Sequence, residues 1–318
     1  MAAVDSFPLL YREIARSCGC YMETLALVGA VYTAGTAVCL MHDCYRLIRL
    51  HFIPRLMSSG DLVHRYGRWA IISGASEDIA KAYAEELARH GVSLILVSRD
   101  VSSVRDSAAS ISEAHGVETI SVEADFSLGP AACTSIVNAV ADKDVGFVVN
   151  CLSSHLHVSQ SFHRLSESEL WHVINDSVSA ASLITRLALP GMVERRRGAV
   201  VNISSGRCCR SSEGTVVLSA ATAFLDHFSR ALRYEYAPQG VFVQSLVPYR
   251  VAPRDPEGGF MTSWFVPEPR VYARHALSTL GVSHRTTGYW PHTLQLRLVR
   301  CVPEWIRLLG SRLMFRTV

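Results

Sequence analysis

A chain of 318 residues with 49% hydrophobic and 19% charged residues is long enough to bury one large core. Its formal net charge of +3 is too small to point to nucleic acid. The nine cysteines (18, 20, 39, 44, 133, 151, 208, 209 and 301) are odd in number and scattered, and two of them are vicinal, which argues against a disulfide framework and for a reducing compartment.

The first element in chain order is an apolar run. Met22 to Met41 is 20 residues whose only charge is Glu23 at its edge. At 1.5 Å per residue it reaches about 30 Å, the thickness of a bilayer's hydrocarbon core. Thr24, Thr33, Thr36, Gly29 and Gly35 dilute it, so the readings are a membrane-spanning helix, a membrane-embedded hairpin, an organelle-targeting segment, or a buried helix of a soluble fold. Arg46, Arg49, Arg55, Arg65 and Arg68 follow the run. That excess would keep the main domain in the cytosol if the run spans; the alternative is a solvated basic linker closed by Pro54 and Gly60. Residues 1–65 therefore read as a targeting or membrane-associated extension.

Residues 66–292 read as one α/β domain. Short apolar runs at Trp69–Ser73, Ser93–Ser98, Val117–Glu123, Val145–Val149, Ala199–Ser204 and Val241–Val247 alternate with helical patterns near 77–90, 101–115, 129–141, 166–189 and 215–237. Such alternation predicts a doubly wound parallel sheet with helices on both faces, the Rossmann-type arrangement. The Pro- and Gly-rich stretch from Tyr249 to Pro269 predicts a long loop, placed where a substrate lid would lie. Residues 293–318 read as a basic amphipathic tail, with Arg297, Arg300, Arg307, Arg312 and Arg316 among Leu, Val and Trp305. Such a tail suits a membrane surface or the face of the domain. Cys18-x-Cys20 lacks a second Cys/His pair at zinc spacing. His155, His157, His163 and His172 lack a Glu or Cys at ligand spacing, so no metal is expected and these histidines read as loop residues.

The motifs that carry chemistry are a glycine turn and a serine-helix pair. Ser73-Gly74-Ala75-Ser76-Glu77-Asp78-Ile79-Ala80 follows the first strand, and Ser204-Ser205 is followed by Leu218-Ser219-Ala220-Ala221-Thr222. This order resembles the short-chain dehydrogenase/reductase family, in which a strand-five serine is followed thirteen residues later by the tyrosine of Tyr-x-x-x-Lys. Ser205 falls on the family's serine, Leu218 on its tyrosine and Thr222 on its lysine; Ser177 falls on its asparagine, with Asn175 two residues early. The resemblance implies that the tyrosine would pass a proton while a nicotinamide passes a hydride, and that the lysine would lower the phenol's pKa. Leu218 has no proton to give and a neutral Thr222 cannot act as a cation, which closes general acid-base catalysis by that route, usually worth about 10²–10⁴-fold.

The same resemblance assigns a cofactor site. The turn matches Thr-Gly-x-x-x-Gly-x-Gly at Gly74 only, with Asp78 and Ala80 in the other glycine places. A carboxylate about 4 Å from a bound diphosphate costs roughly 4 kcal/mol at an effective dielectric of 20, near a thousandfold in affinity. Alternatively Asp78 simply favours its own helix N-terminus. Arg99 stands where NADP-using members place a base for the 2′-phosphate, Asp125 matches the adenine contact, and Asn150 keeps the first residue of Asn-Asn-Ala-Gly before Cys151. Pro248 is retained, whereas Tyr249 and Pro253 replace a glycine and a nicotinamide-contacting threonine.

Leu189-Pro190-Gly191-Met192-Val193-Glu194-Arg195 and Arg285-Thr286-Thr287-Gly288-Tyr289-Trp290 are similar to the branch holding the 17-beta-hydroxysteroid and very-long-chain 3-oxoacyl-CoA reductases. That resemblance implies an inactive member located in the mitochondrion, the endoplasmic reticulum membrane being the alternative. It also implies a homodimer through helices 166–189 and 215–237. The expected function is a pseudoenzyme with an interaction or ligand-binding role and no functional cofactor. The alternatives are an NADP(H)- or lipid-binding sensor and, behind it, an active steroid or 3-oxoacyl-CoA oxidoreductase.

Overall fold

Strands β1 (Trp69–Ser73), β2 (Ser93–Ser98), β4 (Val145–Cys151) and β5 (Gly198–Ile203) are buried at every position. Continuous apolar runs of this kind are what a parallel sheet covered on both faces requires. Together with β3 (Thr119–Glu123), β6 (Val241–Leu246) and β7 (Arg285–Thr286) they form a parallel sheet in the order β3-β2-β1-β4-β5-β6-β7. The computed structural model describes residues 6–56, 61–151, 162–205, 216–252 and 262–301. The six expected strands lie within two residues of those observed. β7 was not expected, because a two-residue strand has no periodicity to read.

The helices are α1 (Ser6–His51), α2 (Ile53–Leu56), α3 (Leu62–Tyr66), α4 (Asp78–Arg89), α5 (Ser102–His115), α6 (Cys133–Val140), α7 (Glu167–Ile174), α8 (Ala180–Glu194), α9 (Val216–Tyr236), α10 (Pro269–Ser278) and α11 (Trp290–Cys301). Alternate strand residues feed two cores. Ala70 and Ile72 join Tyr83, Leu87, Phe147 and Tyr272 on one face, while Trp69 and Ile71 join Ile136, Ile184 and Met192 on the other.

Two expected helices are corrected. The pattern at 129–141 begins as a 3-10 turn over Phe126–Ala132, since Gly129 (φ 61, ψ −136) leaves helical space just before Pro130, and α6 starts only at Cys133. The pattern at 166–189 is not one helix. A capping box between Ser166 and Glu169 starts α7, a single π-turn at Asn175–Ser179 interrupts the ladder, and α8 runs to Glu194.

At the entry to β1, Gly67 (φ +138) and Gly146 cross backbone to backbone. A Cβ on Gly146 would lie 2.5 Å from both the Cα and the N of Gly67. The neighbouring Tyr66 ring meets Phe147 edge-on at 5.3 Å, which fixes α3 to the start of β4.

Helix α11 begins at Trp290, before the expected tail, and carries a fully buried His292. Its Nδ1 accepts from the Tyr249 amide at 3.3 Å, and its Nε2 donates to the Arg250 and Phe265 carbonyls, each at 3.2 Å. One imidazole thus ties together both described ends of the long Pro- and Gly-rich loop. Burial pushes its pKa down from 6.5 to about 4. Between those values the unfolded chain binds a proton that the folded chain refuses, so this contribution is present above pH 6.5 and lost as pH falls to 4. About 3 kcal/mol of stability should disappear across that window. Urea midpoints at pH 7.5 and 4.5 will show the loss, and His292→Asn should flatten that part of the profile.

The chain divides into units 1–49 and 50–318. The described residues of the first unit belong to α1, which runs unbroken for 46 residues, about 69 Å. The hairpin reading is thereby corrected: Gly29 and Gly35 lie inside a continuous helix, each costing only about 1 kcal/mol against alanine. Thr24, Thr33 and Thr36 donate to the carbonyls of Tyr21, Ala30 and Thr33 at 2.9, 3.0 and 2.9 Å, so these hydroxyls are satisfied within the helix. Leu25, Val28 and Val31 stand 67 to 68% exposed. Among the described residues, Tyr11–His51 is long and apolar enough to cross a membrane. The basic linker expected from residue 42 is helical as far as His51.

Candidate functional site

A cavity of about 490 Å³ opens at the C-terminal ends of β1, β2 and β4, where ligands bind in open parallel sheets. Gly74, Ser76, Arg99, Asp100, Cys151 and Asp176 are among the residues lining it.

One wall is the turn from β1 to α4. Gly74 (φ +66) keeps a glycine's conformation, and a Cβ there would lie 2.6 Å from the Cys151 carbonyl. The Glu77 amide donates to the Gly74 carbonyl at 3.0 Å, and Glu77 stands at the residue before α4 while only 3% exposed. Asp78 follows as the acid of the first helical turn, with Ile79 behind it. Two carboxylates therefore stand in a turn that would have to accept diphosphate. Ala80 is fully buried, and its amide donates to the Cys151 sulfur. Burial, and then the charge of Glu77, push the Cys151 thiol up. Ala75 is buried, its amide donating to the Val97 carbonyl at 3.3 Å.

The opposite wall is charged. Arg99 pairs with Asp176 at 3.1 Å, and its guanidinium donates to His172 Nδ1 at 3.2 Å. His172 Nδ1 also lies 3.3 Å from Asp176, so a ring with no proton on Nδ1 accepts from Arg99, whereas a ring with its proton on Nδ1 donates to Asp176. Burial pushes the Asp176 carboxyl up, against the pull of Arg99 and His172. His172 is thus corrected from a loop residue to a helix residue with an acidic partner one turn on. Asp125 accepts from the Ser127 amide at 2.9 Å, and hydrogen bonding to Ser127 holds its carboxyl low. This acid therefore starts the 3-10 turn of Phe126–Ala132, between Ala124 and Phe126, which line the cavity.

The four family positions of the catalytic group gather at the same end of the sheet, but their chemistry is turned inward. The Leu218 side chain is buried. Thr222 is 0% exposed and its hydroxyl donates to the Ser219 carbonyl of its own helix at 2.8 Å. Ser177, in the π-turn, donates to the Val173 carbonyl. Ser205 is half-buried at the end of β5, and Ser204 donates to the Leu246 carbonyl at 3.1 Å. Pro248 is buried and Tyr249 half-buried beyond β6; Pro253, His155, His157 and the pair Cys208-Cys209 lie outside the described residues.

Asn150 has become structural. Its amide donates to Asn202 at 2.7 Å and to Thr185 at 3.0 Å, and Asn202 donates to Ser229 at 2.8 Å. This buried polar chain joins β4, β5, α8 and α9. The sequence reading placed Glu77 in the cofactor turn but missed Cys151 and Asp176, which line the cavity, and His172 beside Asp176. The spacing of His172 to Asp176, four residues on one helix face, was the available signal for the last pair.

The short chain dehydrogenase family profile matches residues 68–254. This chain belongs to the short-chain dehydrogenase family. It is 62% identical to inactive hydroxysteroid dehydrogenase-like protein 1 of Danio rerio, covering 98% of both chains, and 52% identical to that of Homo sapiens, covering 100% of this chain and 97% of the relative. The human very-long-chain 3-oxoacyl-CoA reductase is 34% identical over 76% of this chain and 78% of its own. Among solved structures, one of 7beta-hydroxysteroid dehydrogenase superposes with a TM-score of 0.63 at 26% identity, over 71% of this chain and 88% of that one. A Sphingobium yanoikuyae short-chain dehydrogenase in complex with NADPH gives 0.60 at 25%, over 78% and 95%.

Proposed function

We propose that this chain is a non-catalytic short-chain dehydrogenase, a pseudoenzyme whose fold serves interaction or ligand binding. The observation that carries the reading is Leu218 in the tyrosine position, one turn from a neutral, buried Thr222. The names of the two relatives covered over 98% and 97% of their length, both called inactive, support it. Full-length purified protein should oxidise NADPH only at background rates with steroid or 3-oxoacyl-CoA substrates. Turnover well above that background overturns the reading.

A second reading is a sensor that still holds NADP(H) or a lipid in the residual cleft. It is favoured by the 490 Å³ cavity and by Arg99 at its wall. The 25% identical dehydrogenase solved with NADPH supplies the nucleotide version. Absence of calorimetric heat and of a thermal shift at millimolar NADPH removes that version.

Helix α1 supports attachment to a membrane, in the mitochondrion by resemblance or else in the endoplasmic reticulum. Carbonate extraction of fractionated organelles tests both. A homodimer through α7, α8 and α9 completes the proposal, to be tested by sedimentation in detergent.

A further inference from the structure

The charged side of the cavity is paired within the chain itself. Arg99 follows β2 and Asp176 sits in the π-turn between α7 and α8, so their 3.1 Å pair joins two elements that both line the cavity. The Asp176 side chain is 13% exposed and that of Arg99 48%. The buried partner is therefore the acid, and it presents to the guanidinium what a phosphate monoester would: oxygen acceptors carrying negative charge. His172 holds the arrangement from the third side, within 3.3 Å of Asp176 and 3.2 Å of Arg99. Asp176 has no catalytic geometry of its own; the neighbouring Ser177 turns its hydroxyl back to Val173.

We infer that Asp176 is an intramolecular stand-in for a ligand's phosphate, an autoinhibitory contact that keeps Arg99 occupied and the cleft closed to phosphomonoesters. The inference rests on the reading of the cleft as not loaded with cofactor. Because the arginine is half exposed, a ligand's phosphate can reach its guanidinium and compete for it. Freeing it leaves a guanidinium able to bind a phosphate through paired hydrogen bonds.

The test uses full-length protein and two isomeric probes, adenosine 2′-monophosphate and adenosine 5′-monophosphate, read by calorimetry. Asp176→Asn should bind the 2′-isomer at least about tenfold more tightly than wild type. Its affinity for the 5′-isomer should be unchanged, and Arg99→Ala in the Asp176→Asn background should abolish the gain. Asp176→Ala, checked for folding by circular dichroism, must repeat the result, so that misfolding of one variant decides nothing. Equal affinity of wild type and both folded variants for the 2′-isomer overturns the inference, as does a gain that survives loss of Arg99 or extends equally to the 5′-isomer. Failure of the functional reading shows separately, as NADPH turnover by wild type, a measurement in which neither probe takes part.

Discussion

Asp78→Gly is expected to bind NADPH up to about a thousandfold more tightly than wild type. The residue opens α4 in a half-buried position, directly after a buried Glu77. A diphosphate docked on that helix N-terminus would meet a like charge about 4 Å away, a repulsion of roughly 4 kcal/mol at an effective dielectric of 20. Opposing it, the substitution removes an acid that favours the helix start by about 0.3–1 kcal/mol. The variant should therefore melt slightly lower without ligand and higher with it. Calorimetry and thermal shift on the two proteins side by side provide the check. Equal affinities would mean that the Asp78 carboxylate turns away from the phosphate path.

Gly146→Ala is expected to cost about 4 kcal/mol or more, enough to threaten the folded state of a marginally stable domain. The new Cβ would fall 2.5 Å from the Gly67 Cα and N and 2.6 Å from the Tyr66 carbonyl carbon, all of them backbone atoms. A flexible side chain could swing aside; a backbone crossing cannot, short of moving α3 off the start of β4. Urea unfolding against wild type measures the loss. As a contrast, Gly116→Ala places a Cβ in open space and strains only its φ of +66°, so it should cost far less.

The sheet was legible because each central strand is a mainly apolar run, buried at every position, and a run of that kind between helical patterns points to a parallel sheet. The lost reagents were legible too, since Leu218 and Thr222 are identities, and no geometry restores a hydroxyl or an ammonium to them. What stayed hidden is what the freed positions do instead. That Asn150 bridges to Asn202 and Thr185, or that the Ala80 amide meets the Cys151 sulfur, depends on side chains far apart in sequence and brought together by strand register. The π-turn at Asn175–Ser179 was invisible for a similar reason: apolar periodicity through residues 166–189 survives one extra residue in the ladder.

The turn that gives its Ala80 amide to Cys151 and places Glu77 at the head of α4 bears on how the protein lives in a cell. A dehydrogenase that binds its cofactor gains stability as RT ln(1 + [L]/Kd), so its folded population rises and falls with the nucleotide pool. On the proposed reading, a cleft that takes up no cofactor has no such dependence. Its abundance would follow synthesis and degradation alone, indifferent to whether the surrounding compartment is rich or poor in reduced nucleotide.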